Sequence, residues 1–271
     1  MEQAENILFL IAMIGYALAM AIYFVYLAAK KEAVAKAADG VQTGGLIMHT
    51  AALILRGIAA GRAPMTNRYE FAACFAWALC LVSLIFILKY RFFVLGAFAM
   101  PVVFLVMGYA AMQSREIQPL MPALQSGWLV FHVSTAILSY GAFGVSFVLG
   151  LVFLARSRIR QDGFLDQHIP PRDKLDTIEY RAVALGMLFL SVTIILGAFW
   201  AKKCWGYYWS WDPKETWSLV TWIIYAIYLH LRITRKWKGK AAAVFAVVGF
   251  LCVILTYIGV NTLLPGLHSY A

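Results

Sequence analysis

Stretches of about 20 consecutive apolar residues return eight times along this chain of 271 residues, each long enough to cross about 30 Å of hydrocarbon as a helix. The spans read as Ile7 to Ala29, Gly44 to Ala60, Phe71 to Leu88, Phe92 to Met112, Trp128 to Ala155, Ala182 to Ala201, Trp217 to Leu231 and Ala241 to Thr262. Composition agrees: 63% of the residues are hydrophobic and 13% charged, whereas a water-facing surface needs roughly 25% charged residues. The expected fold is an all-α integral membrane protein, a bundle of eight transmembrane helices. No Gly/Ser linker or repeat divides the chain, so residues 1–271 read as one membrane domain.

The second span is the least regular, because Arg56 interrupts it near one end. A charge at that depth must snorkel, pair or line a functional cavity.

A net charge of +10 invites a nucleic-acid reading, but the distribution of the charge argues against it. Connections 30–43, 89–91, 156–181 and 232–240 together hold 16 Lys or Arg, and the alternate set holds six. Loop asymmetry of this kind reports orientation, so the basic set is expected on the cytoplasmic side and both termini on the outer, periplasmic side. The first run of 23 residues follows Glu2 and Glu5 and precedes lysines, the pattern of a first span rather than a cleaved signal. With no transit segment before it, a bacterial inner (plasma) membrane, or a protein made inside an organelle, is the expected setting. Cys74, Cys80, Cys204 and Cys252 lack metal-ligand spacing, and no disulfide framework is expected.

The connections on the presumed outer side are unusual, and together they suggest a cap. Residues 61–70 read GRAPMTNRYE, 113–127 read QSREIQPLMPALQSG and 263–271 read LLPGLHSYA. Residues 204–217 read CWGYYWSWDPKETW, which places Trp205, Trp209, Trp211 and Trp217 beside Tyr207 and Tyr208. Aromatic belts at membrane interfaces scatter over many spans; concentration into 13 residues favours a platform for a flat ligand. Asp212, Pro213 and Glu215 also match N-cap, first and third positions of the following helix, an arrangement that satisfies unpaired amides.

Of the five histidines, His168 lies in the long basic connection and reads as solvated. His132 stands five residues inside the outer end of the fifth span and His268 six residues beyond the eighth, so both can approach the aromatic segment. Imidazole is a standard axial ligand of haem iron, and two converging histidines beside an aromatic wall make a sensible haem site. His230 lies about 20 Å along its helix from Trp217, near the inner end. His49, about six residues inside the second span, has a broadly similar depth, so a second, inner haem position is also conceivable on this pattern. Each of these lone histidines has a plain structural alternative, as a core or interface side chain.

The run WGYYWSWDPKETWSLVTWIIYAIYLHLR resembles the tryptophan-rich WWD signature of haem-handling membrane proteins, and its WDPKETW ending is similar to the CcsA/ResC (CcsB-type) branch of system II cytochrome c biogenesis. GRAPMTNRYEF resembles a second element of that family, and the likeness extends over nearly the whole chain. The resemblance implies that His132 and His268 ligate haem b at the outer face, and that His230 is a membrane haem ligand whose partner comes from a ResB/Ccs1-like subunit. It gives His49 no role. It further implies that haem is exported or presented so that its vinyl groups form thioethers with Cys-x-x-Cys-His segments of an apocytochrome c, with help from thiol-reducing pathway proteins. Trp205, Trp209, Trp211 and Trp217 would hold the porphyrin, with Asp212 at the same site, and Arg62, Arg68, Lys202 and Lys203 would meet its propionates. No catalytic nucleophile is assigned, since thioether formation rests on positioning and iron redox state. Two other classes stay open: a b-type electron-transfer or quinone oxidoreductase, and a permease without cofactor.

Overall fold

The computed structural model describes residues 1–156 and 169–260; His168 and His268 fall outside them. Among the described residues the chain is helical, with no β-strand: α1 (Glu2–Ala29), α2 (Glu32–Ala60), α3 (Arg68–Tyr90), α4 (Val94–Ala111), α5 (Gly127–Arg156), α6 (Arg172–Trp205), α7 (Pro213–Thr234) and α8 (Lys240–Ile254). A 3-10 turn, Pro122–Leu124, precedes α5, and a π-helical turn, Leu255–Gly259, continues α8.

Seven of these helices are long and apolar enough to cross a membrane. The exception is α7. It forms over the predicted seventh span and has 22 residues, enough for about 33 Å, but Lys214, Glu215, His230 and Arg232 reduce its apolar character. Several helices outrun the spans expected from apolarity. α6 has 34 residues, about 51 Å, and its first turns carry Asp176 and Glu179. Asp176 forms a buried ion pair with Arg232 of α7, and its Oδ1 accepts from Gly239 N at 2.7 Å, tying α6 to the α7–α8 connection.

α2 begins twelve residues before the predicted span, at Glu32 rather than Gly44, because its polar residues are satisfied inside the bundle. The Tyr23 hydroxyl of α1 lies 2.6 Å from Asp39 Oδ1 and 2.7 Å from Gln42 Oε1. Gln42 Nε2 donates to Cys80 O and Ser83 Oγ of α3, both at 3.2 Å. A buried polar group without such a partner would cost about 1–3 kcal/mol.

α1 packs along α2, and α5 along α6; α3 and α8 flank α5, and α4 joins α1 to α3. Helices in a bilayer approach closely where side chains are small. At the α3–α5 crossing a Cβ on Gly141 would lie 2.9 Å from the Ala78 carbonyl carbon, so only glycine permits that separation.

Arg56 pairs rather than snorkels. It is 1% exposed; its Nε donates to Glu70 Oε1 at 3.0 Å and its Nη1 to Arg115 O at 2.7 Å. Glu70 Oε2 accepts from Arg62 Nη1 at 2.6 Å, Thr66 N at 2.9 Å and Thr66 Oγ1 at 3.1 Å. Glu5, which the sequence places ahead of the first span, is itself buried in α1, 3.9 Å from Arg56 Nη1 and accepting from the Tyr69 hydroxyl. One buried cluster thus joins α1, α2, α3 and the connections 61–67 and 112–126.

Candidate functional site

The end of the bundle that bears this cluster also bears a cavity. Its walls come from residues 65–68, Leu124, α3, α5, α6, Tyr208 and Trp209, the start of α7 and the π-helical turn, so three of the four unusual connections meet there, while 263–271 lies outside the described residues. About 1160 Å³ of space that no atom fills lies within it, open solvent at the mouth included. The π-helical turn supplies Thr256 and Tyr257, and such turns recur at functional sites. Tyr257 donates to Arg68 O at 3.3 Å and faces Phe71 at 4.6 Å between ring centroids, fixing the turn against the start of α3.

His132, on α5, lines the cavity. Its Nδ1 lies 2.9 Å from the carbonyl oxygen of Thr193 on α6. A carbonyl only accepts, so Nδ1 carries the proton and the lone pair resides on Nε2. A ring anchored in this way through one nitrogen is the usual arrangement around metal-ligating imidazoles. The ring stacks on Trp200, with centroids 5.8 Å apart and planes 20° off parallel. Trp200 is buried and donates through Nε1 to Ala123 O at 3.0 Å. Gly197 completes the seat: a Cβ there would stand 2.8 Å from His132 Cε1 and 2.9 Å from Nδ1.

Thr193, Gly197 and Trp200 escaped the sequence reading. Their spacing of i, i+4 and i+7 puts them on one face of α6, and the polar Thr193 within an apolar run was the available signal. Tyr140 and Lys214 also line the cavity unanticipated. Lys214 lies in the first turn of α7, ahead of the predicted span. Burial pushes its ammonium down to about 8, with Asp212 opposing and the nearby Arg68 guanidinium adding to the effect.

The four tryptophans of 204–217 take different places. Trp209 lines the cavity, and its buried indole N–H has no acceptor among the described residues. Trp211 meets it edge-on, centroids 5.7 Å apart, but is exposed and held at φ 61°, a left-handed conformation that is costly for a bulky side chain. Trp205 packs edge-on against Trp200 at 5.0 Å, behind the His132 seat. Trp217 is half-buried on α7 and does not line the cavity.

Asp212 and Glu215 form the capping box that the sequence suggested. Asp212 Oδ1 accepts from Lys214 N at 3.0 Å, and Glu215 Oε2 accepts from Ser210 N at 2.7 Å and Asp212 N at 3.2 Å. These bonds hold the tryptophan segment onto α7. Asp212→Ala is expected to cost about 1 kcal/mol, with Asp212→Asn retaining most of it; thermal unfolding in detergent measures both.

Among the residues proposed for propionates, Arg68 lines the cavity. Arg62 is bound to Glu70, Lys202 Nζ donates to Gly206 O at 2.7 Å, and Lys203 is exposed. His49 and His230 are not brought to this site. His49, on α2, is fully buried against α1, its Nδ1 3.1 Å from the Tyr16 hydroxyl and its Nε2 without a partner among the described residues. His230 is exposed near the far end of α7.

Comparison with known proteins agrees with the motif. Residues 65–268 match the family model described as Cytochrome C assembly protein. The cytochrome c biogenesis protein CcsA of Synechococcus sp. (strain CC9902) is 39% identical, the match covering 83% of each chain. CcsA of Chlamydomonas reinhardtii is 38% identical over 80% of this chain and 64% of its own. In fold, the chain is similar to the solved cytochrome c heme lyase CcmF, with a TM-score of 0.71 at 15% identity, covering 95% of this chain and 46% of that one. The helical layout is therefore shared with about half of that larger chain. A chain with this cavity, this tryptophan segment and these relatives belongs to the cytochrome c assembly family, as a CcsA cytochrome c biogenesis protein.

Proposed function

We propose that this chain binds haem b as substrate in the cavity around His132 and presents it at the outer membrane face for thioether attachment to apocytochrome c. The observation that carries the reading is the seat of His132: Nδ1 donating to Thr193 O at 2.9 Å, Trp200 stacked on one ring face, and an aromatic cavity before it. This fits a flat iron porphyrin, which needs apolar walls, an imidazole lone pair and cations near its carboxylates. The bound iron supplies a redox-variable centre; the protein residues bind, orient and exclude water.

His268 would be the second outer ligand, and His230 a membrane ligand completed by a ResB/Ccs1-like subunit. His49, sealed against Tyr16 and Phe9, serves in this reading as a packing residue. Of the tryptophans, Trp209 contacts the porphyrin, Trp205 supports Trp200, Trp211 stands at the mouth, Trp217 anchors the segment to α7, and Asp212 caps that helix. The reading includes eight spans with α7 crossing as one of them, both termini outward, one membrane domain over 1–271 with its WWD segment at 204–217, and a bacterial plasma membrane. Haem export and a supply of reduced thiols by partner proteins belong to it as well.

The test is the visible spectrum of the purified protein, alone and with its companion subunit, for wild type and the His132→Ala/His268→Ala pair. The wild type is expected to carry reduced b-type haem bands that the pair weakens or shifts. Equal haem bands in both proteins would remove the ligand assignment, and haem in neither would remove the reading.

A further inference from the structure

We infer that Arg172, Lys238 and Lys240 form a headgroup site for an anionic phospholipid, at the end of the bundle opposite the His132 cavity. Phe153, which lines this other cavity, stands 21 residues along α5 from His132. As a helix that is about 31 Å, one hydrocarbon thickness. No residue of the His132 cavity takes part, so the site stands apart from the haem-binding reading.

Among the described residues, the cavity is lined by Phe153 and Leu154 at the end of α5, Arg172, Asp173 and Asp176 at the start of α6, and Lys238, Gly239 and Lys240 where α8 begins. Each cation is carried by a fixed piece of backbone. Arg156 Nη1 donates to Pro170 O at 2.8 Å, which pins the chain ahead of Arg172 to α5, and the Arg172 guanidinium lies 6.0 Å from the centroid of the Phe153 ring, within cation–π reach. Asp176, 4% exposed, holds the turn that carries the two lysines. Its carboxylate pairs with Arg232 and accepts from Gly239 N at 2.7 Å, while Arg232 Nη1 donates to Trp237 O at 3.0 Å. Gly239 bends the chain at φ 74°, a conformation open to glycine, so that Lys238 and Lys240 border one cavity. With Asp176 matched by Arg232, Asp173 is the other carboxylate on the lining, and three cations against it leave the cavity net positive.

What adjoins the cavity selects a lipid phosphate over a free one. Val244, Val248 and Leu251 are exposed on α8, four, eight and eleven residues after Lys240 and therefore on one helix face, an apolar stripe suited to acyl chains. Trp237, exposed beside Lys238, meets Phe245 edge-on with centroids 6.1 Å apart; tryptophans gather at headgroup level. A basic cavity between helix ends at the membrane surface is an arrangement that takes anionic headgroups.

Full-length protein, delipidated in detergent, is titrated with phosphatidylglycerol and with phosphatidylcholine, and bound lipid is counted by native mass spectrometry. Wild type is expected to prefer phosphatidylglycerol by roughly tenfold or more. In Arg172→Gln/Lys238→Gln/Lys240→Gln the preference falls toward unity. Arg172→Lys/Lys238→Arg/Lys240→Arg, which keeps the charges, retains most of it and shows that this end still folds. Lys30→Gln/Lys31→Gln/Lys89→Gln removes three cations from the same end of the bundle but outside the cavity, and also retains it. Equal wild-type affinity for the two lipids, or a Gln triple in the cavity that still discriminates, overturns the site. An equal loss in the Lys30/Lys31/Lys89 variant overturns it in favour of a diffuse surface field, and displacement of phosphatidylglycerol by inorganic phosphate overturns the lipid occupant in favour of a free anion.

Discussion

Glu70→Ala is expected to lower the stability of the bundle by about 3–5 kcal/mol, the range for removing one partner of a buried ion pair. Glu70 is fully buried and accepts from two arginines and from both the backbone and hydroxyl of Thr66. Its removal leaves Arg56 charged in a buried site, with Glu5 at 3.9 Å as the acid still in range among the described residues. The loss extends to the cavity, because Thr66, Asn67 and Arg68 line it and Thr66 is held through this carboxylate. Glu70→Gln, which keeps an acceptor but loses the charge, should fall between wild type and Ala. Thermal or denaturant unfolding in detergent measures the effect, and an unchanged midpoint for Glu70→Ala would show that the cluster contributes nothing net.

Gly197→Val should abolish the His132 seat while leaving α6 helical. The added carbons would fall where His132 Cε1 and Nδ1 now lie, 2.8 and 2.9 Å from the Cβ position. The ring must then leave Thr193 O or press on Trp200. Overpacking of this kind typically costs about 1–3 kcal/mol, which corresponds to roughly five- to 150-fold in occupancy of the working geometry. The measurements are haem per protein from the Soret band and helicity from circular dichroism. Gly197→Ala should show a smaller loss. Retention of the full Soret intensity by the Val variant would mean that His132 is not the ligand that matters.

Helix positions were legible because lipid solvent imposes a local rule: about 20 apolar residues in a row must hydrogen-bond along their own backbone. Hence, among the described residues, each predicted span coincides with a helix, seven of them long and apolar enough to cross a membrane, and the boundaries of α5, predicted Trp128 to Ala155 and observed Gly127–Arg156, differ by one residue at each end. The rule fails where polar groups are satisfied by other helices. Asp39 and Gln42 conceal the first turns of α2, since their partners Tyr23, Cys80 and Ser83 lie 16 to 41 residues away in sequence. α7 shows the converse case, in which aromatic and charged side chains make a helix less apolar than its neighbours.

The site divides along the same line. Asp212, Pro213 and Glu215 announce a helix start because capping involves neighbours three residues apart, and the tryptophan segment announces itself by density alone. Family membership was likewise written in one contiguous motif, WDPKETW. Which tryptophan faces the cavity, which histidine is anchored by a distant carbonyl, and which arginine is committed to an acid depend on residues as far apart as His132 and Thr193, or Arg56 and Glu5. Those pairings are set by how α2, α3, α5 and α6 pack. Local chemistry could therefore specify helices, caps and motif, while the selection of His132, Trp209, Arg68 and Lys214 as cavity residues arose from long-range packing, where small residues such as Gly141 and Gly197 let one helix bring its side chains against another.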